Sequence, residues 1–130
     1  MSIYKNGQKV LGSIVAIDDN HIKEVANTYS TNEMIIGKWI DGKPIYRKTW
    51  TGTGNPNSFN HNIDSLGDVI KIDGCFLNTS SQWINFTGAD NDAGIYSCRA
   101  IVSQTKIIFT IRNYNIKKYT LSVEYTKTTD

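Results

Sequence analysis

The sequence predicts an all-β protein: an antiparallel β-sandwich, jelly-roll-like or related, with a short N-terminal helix or extended segment. Three observations carry that expectation. From Glu33 onward the apolar residues recur with a period of two, which places alternate side chains on opposite faces of a strand. Tight-turn dipeptides, Asp41-Gly42 and Gln104-Thr105, separate runs rich in β-branched and aromatic residues, as in antiparallel hairpins. Near the end, Tyr119, Leu121, Val123 and Tyr125 alternate with Thr120, Ser122, Glu124 and Thr126, the pattern of a half-buried antiparallel strand.

Residues 1–33 read as an N-terminal linker or packing segment. Gly12 to Ile17 suggests a short strand. Asp18, Asp19 and Asn20 then offer capping oxygens before Ile22, Val25, Ala26 and Tyr29, which fall on one helical face. Glu24 lies near the start of that segment, about 19–30, where the helix dipole favours it. Two or three turns are unstable alone. The helix must therefore pack on the domain or on copies of itself in an oligomer.

Residues 34–130 read as the β-sandwich domain. Met34–Ile40 and Ile45–Trp50 flank Asp41-Gly42, and Pro44, with no N–H to donate, belongs in the loop or first in the second strand. Thr51 to Asn62 is loop chemistry, rich in Gly, Asn and Ser. Val69–Leu77, interrupted by Gly74, and Gln82–Phe86 follow as strands, and residues 88–94 form a turn cluster. Ile95–Ser103 and Lys106–Arg112 flank Gln104-Thr105, with Ile107, Phe109 and Ile111 on one face. Six or more short strands at near-regular spacing point to a sandwich or barrel.

A chain of 130 residues suits one domain with a hydrophobic core. A net charge of +2, without a basic stripe, argues against nucleic-acid binding. The pairs Arg47–Lys48 and Lys117–Lys118 read as solvated strand faces. No apolar run approaches the ~20 residues that span a bilayer, so membrane insertion is not expected. The first residues lack a secretory pattern, which implies synthesis in a reducing cytosol. Asn78-Thr79-Ser80 and Asn85-Phe86-Thr87 match the glycosylation sequon but, in that setting, read as chance.

The chemistry-bearing residues do not assemble into a catalytic pattern, and no enzyme is expected. Nucleophilic catalysis needs a hydroxyl or thiol beside a titratable base. The two histidines, His21 and His61, stand in the helical segment and the polar loop, with no G-x-S-x-G elbow near either. Asp90 and Asp92 share a turn and supply the alternative, a paired-carboxylate polysaccharide hydrolase; with Asn91 they also resemble weakly a calcium loop. Cys75 and Cys98 lack the partners a structural zinc demands and read as two buried thiols, so neither metal nor cofactor is expected. Asp92-Ala93-Gly94-Ile95-Tyr96-Ser97-Cys98 imitates the tyrosine-corner strand of immunoglobulin domains, but residues 76–97 are too few for the strands between its cysteines.

Aromatic residues offer a better lead. Trp39, Trp50, Trp83, Tyr46 and Tyr96 stand in or beside strands among amides, carboxylates and Arg. Sugars are bound by such sets, an apolar ring face stacking on an aromatic while hydroxyls meet polar groups. Core packing is the competing role. Trp83, between Gln82 and Asn85 in a polar context, is the one expected at a surface. The proposed ligand-binding residues are Trp83, Asn85, Tyr96 and Arg99.

The stretch Tyr29–Thr49, YSTNEMIIGKWIDGKPIYRKT, resembles a pattern found near the start of C-terminal domains in tail, tail-fibre and baseplate proteins from phages and prophages of Gram-positive bacteria. The closing Tyr119–Asp130 and the His61-Asn62-Ile63 string followed by Val69–Ile72 are similar to the same group. The resemblance brackets residues 29–130 and is loose between Gly74 and Lys118. It implies a β-sandwich displayed as a homotrimer in the virion, contacting other tail or baseplate proteins and binding a host cell-surface saccharide or fixing the tail tip; a pure virion scaffold without a ligand stands beside the cell-wall or capsule polysaccharide hydrolase as an alternative. It carries no catalytic residues, because the shared motif is a hairpin.

Overall fold

The computed structural model describes residues 27–86 and 96–130. They form eight strands: β1 (Met34–Lys38), β2 (Pro44–Thr53), β3 (Phe59–Asn60), β4 (Leu66–Asn78), β5 (Trp83–Asn85), β6 (Ser97–Val102), β7 (Lys106–Arg112) and β8 (Ile116–Lys127). A five-stranded sheet runs in the order β1-β2-β8-β4-β5, and a three-stranded sheet in the order β3-β7-β6. Every pairing is antiparallel. The all-β expectation holds, with the two sheets facing each other across a shared core.

The turns are built as their residues dictate. Gly42 N donates to Trp39 O at 2.9 Å, Asp41 Oδ1 accepts from Lys43 N, and Gly42 takes φ +88°, a value that suits a residue without Cβ. Pro44 then opens β2 opposite Lys38. In the β6–β7 hairpin, Ser103 N donates to Lys106 O at 2.8 Å around Gln104-Thr105. The polar stretch 51–62 is less uniform than its composition suggests. Strand β2 runs on to Thr53, and Phe59-Asn60 pairs with Ile107 and Lys106 because Phe59 has a core ring to meet.

The helix expected over 19–30 is not seen where it can be judged. Residues 28–30 have no helical structure, and residues 19–26, with the suggested strand 12–17, lie outside the described residues. The backbone carbonyls here serve β2 instead of a helical turn. Thr49 N donates to Ser30 O at 3.0 Å, and Arg47 Nη2 donates to Thr28 O at 2.8 Å. That arm also corrects the expectation for Arg47. The side chain is 6% exposed, stacked 3.9 Å from the Tyr29 ring centre and 3.7 Å from Glu124 Oε2. Arg47 is a buried tether, while Lys117 and Lys118 are exposed as expected.

The core forms where the inner faces of the sheets meet. Leu121, Val123 and Tyr125 of β8 are fully buried and pack with Ile107, Ile63 and Leu66. Phe76, Cys98 and Ile116 form a second cluster with Ile84, Ile111 and Tyr119 around them. Rings link the two: Trp50 to Phe59, Phe109, Phe86, Phe76 and Tyr114, with centres 5.2–6.2 Å apart. Full burial of one such large apolar side chain stabilises the fold by roughly 1.5–3 kcal/mol. At Gly74 an added Cβ would lie 2.6 Å from Thr120 O, so the β4–β8 seam admits no side chain there.

Candidate functional site

Strand register sets what the open face of the five-stranded sheet displays. Residues directly opposite in an antiparallel pair share a face. Four rows follow from the pairing: Met34–Arg47–Glu124–Lys71, Thr49–Ser122–Asp73, Thr51–Thr120–Cys75–Asn85, and Thr53–Lys118–Leu77–Trp83. The inner face carries Trp50, Leu121, Phe76 and Tyr119 one residue out of step. The outer face therefore carries hydroxyls and one amide in its middle rows, with charged side chains (Arg47, Glu124, Lys71, Asp73 and Lys118) around them.

Two adjoining grooves lie on this face. One, of about 410 Å³, is lined by Thr51, Thr53, Trp83, Lys118, Tyr119 and Thr120. Trp83 stands on the short edge strand β5, is 59% exposed, and has Lys118 Nζ 5.7 Å from its ring centre. The other, of about 300 Å³, is lined by Tyr29, Thr49, Asp73, Cys75, Asn85 and Ser122. Within it Thr49 Oγ1 and Ser122 Oγ share a hydrogen bond of 2.8 Å, which fixes both hydroxyls. Tyr29 and Trp83 thus bound a strip of hydroxyl, amide and carboxylate groups. Asp73 is the one carboxylate among the described residues that line either groove.

The four residues proposed from the sequence do not form one cluster. Trp83 and Asn85 share the outer face of the five-stranded sheet, in neighbouring rows. Tyr96 lies at one end of the sandwich, its ring 5.4 Å from that of Tyr114, in a separate groove with Gln82 and Asn115. Arg99 is exposed on β6 opposite Thr110, on the outer face of the three-stranded sheet. The sequence reading missed Thr49, Thr51, Thr53 and Lys118 as members of a site. Their signal was present in the alternation Thr49-Trp50-Thr51-Gly52-Thr53, whose threonines had to face away from Trp50.

Trp50, Tyr46, Tyr125 and His61 have structural roles. Trp50 packs on Phe59, and Tyr46 stacks on Tyr125 at 5.8 Å. Tyr46 Oη donates to Asp130 Oδ2 at 2.6 Å and Tyr125 Oη to Glu33 Oε2 at 2.5 Å, with Lys127 Nζ 2.7 Å from Glu33 Oε1. Burial first, then the bonded Asp130 carboxylate, pushes the Tyr46 phenol up to about 12; burial and Glu33 raise Tyr125 as well. His61 is 1% exposed and fully engaged, Nδ1 accepting from Ile63 N and Nε2 bonded to Ser103 O, each at 3.0 Å.

Both cysteines are free. Cys98 is buried with Sγ donating to Asn85 O, whereas Cys75 is only half-buried and faces the outer groove, contrary to the expectation of two buried thiols. Among the described residues no group of three or more His, Cys, Asp or Glu stands together to hold a metal. Asp90 and Asp92 lie outside the described residues, as does His21. Comparison with protein-family models, with curated proteins and with solved structures gives no match for this chain.

Proposed function

We propose that this chain is a non-enzymatic adhesion module of a phage tail or baseplate, holding a host cell-surface saccharide on the outer face of its five-stranded sheet. The observation that carries the reading is Trp83. A large ring is left open to solvent at the edge of a face whose next row offers Thr51, Thr120 and Asn85. An exposed indole beside hydroxyls and an amide suits the mixed apolar and polar surface of a sugar. The phage assignment rests on the resemblance of residues 29–49 and 119–130. Display as a homotrimer would multiply weak contacts by raising the effective concentration of linked sites.

Retention on immobilised cell-wall polysaccharide from Gram-positive hosts tests the reading. Wild type is expected to be retained, and Trp83→Ala to weaken retention about tenfold, equivalent to ~1.4 kcal/mol, with an unchanged melting temperature. Equal retention of the variant would remove the sheet-face site. Absence of retention for wild type would remove the adhesion reading, and a monomer by light scattering would remove the trimer.

A further inference from the structure

A third groove, of about 440 Å³, lies at the end of the sandwich where the β4–β5 and β7–β8 turns meet. It shares no lining residue with the grooves on the sheet face. From its geometry we infer that it is an independent site for a neutral saccharide unit, held by Tyr96, Gln82 and Asn115. The inference extends the saccharide-adhesion reading and names the ligand class of a different surface.

The turn is preorganised. Residues 79–81 form a three-residue hairpin loop closed by Asn78 N donating to Gln82 O at 2.9 Å, with Ser81 at φ +63°. Asn78 Oδ1 accepts from Ser80 N and Gln82 N, at 3.0 and 2.9 Å. Its Nδ2 donates to Gln82 Oε1 at 3.1 Å. That last bond fixes the orientation of the Gln82 amide, because the acceptor end is held and the Nε2 donors face away from it. Thr79 N donates to Asn115 O at 3.0 Å, which ties the two turns together. Asn55 holds the second turn from behind, Nδ2 donating to Tyr114 O at 3.1 Å and Oδ1 accepting from Ile116 N at 2.7 Å.

The chemistry of the lining selects the ligand. Side-chain amides of Gln82 and Asn115 and the hydroxyls of Thr79 and Ser80 offer both donors and acceptors. Tyr96, 42% exposed and backed by the Tyr114 ring, supplies the flat apolar surface. No charged side chain lines the groove among the described residues. Among the described residues a sugar carboxylate or phosphate would find no countercharge in it, whereas sugar hydroxyls and an N-acetyl group match amides. Binding would add little ordering, since the two turns are already cross-linked.

The test is a titration of the full 15N-labelled chain with glucose, galactose and N-acetylglucosamine at millimolar concentration, and with sodium glucuronate as the anionic counterpart. The Gln82 and Asn115 side-chain amide signals are expected to shift saturably with at least one neutral sugar, and more weakly with glucuronate. Asn115→Ala is expected to lower that affinity about three- to tenfold, the loss of one neutral hydrogen bond. Tyr96→Ala is expected to lower it further, while Tyr96→Phe retains most of it. Still amides with a shifting Trp83 indole would overturn this site and leave the sheet-face site standing. Shifting amides with a still indole would do the reverse, and a silent spectrum would overturn both. Stronger binding of glucuronate would overturn the assignment to a neutral ligand.

Discussion

The two faces of the five-stranded sheet share every backbone hydrogen bond and differ by one position along each strand. On β8 the inward set, Leu121, Val123 and Tyr125, is fully buried, whereas Thr120, Ser122 and Glu124 form the middle column of the outer face. The inner face draws its energy from apolar area removed from water. The outer face gives up that energy at most positions and keeps hydroxyls and an indole accessible. The lesson is that a small β domain can separate stability from recognition without separating them in sequence. Substitutions at three residues press on that division.

Phe76 has the largest expected effect. It is fully buried and touches the rings of both Phe86 and Tyr114. Phe76→Ala is expected to cost about 3–5 kcal/mol in a denaturant titration, through lost transfer energy and the cavity left behind. A cost under ~1 kcal/mol would mean that the second core cluster is not a structural centre.

Arg47 is where the outer face breaks its own rule. It lies in an outer row but is covered by the arm at residues 28–30. Arg47→Ala is expected to cost about 1.5–3 kcal/mol, since Thr28 O and Glu124 lose a charged donor. Arg47→Lys should recover only part, because a lysine cannot reproduce the planar stack on Tyr29. A neutral outcome in urea would show that the arm adds nothing to the domain.

Tyr46 sharpens the inner side. Its phenol is raised to about 12 in the folded chain against an ordinary value of 10. A raised value means that the folded state holds the proton more tightly than the unfolded state. The corresponding stability is full below pH 10 and is lost as pH climbs toward 12. Tyr46→Phe is expected to lower stability at pH 8 by about 0.5–1.5 kcal/mol and to lose less of its melting temperature than wild type between pH 10 and 12. Tyr125 still contributes in the variant, so a residual alkaline drop is expected. Parallel pH curves would show that neither burial nor the bond to Asp130 raises this phenol in solution.

Much of this organisation was legible in the residues, and the reason is local. A strand turns over every second side chain, so an alternating string states which residues share a face before any partner is known. That is why the buried set of β8, the inward Ile107, Phe109 and Ile111, and the turns at Asp41-Gly42 and Gln104-Thr105 could be read directly. Trp83 reads as a surface residue for a different local reason, its polar neighbours Gln82 and Asn85.

Tertiary structure alone decided what stands beside what. Nothing local places β8 between β2 and β4, yet that order sets Thr120 beside both Thr51 and Cys75 and brings Trp83 to the end of a row begun by Thr53. The β6–β7 pairing places Arg99 on the other sheet, and Tyr96 stands at the end of the sandwich beside Tyr114. Arg47 and His61 were buried by long-range partners, the arm and the β6–β7 turn, which no local periodicity encodes. Alternation is a property of one strand's own geometry. Adjacency is the outcome of a competition among all the strands for the same buried space.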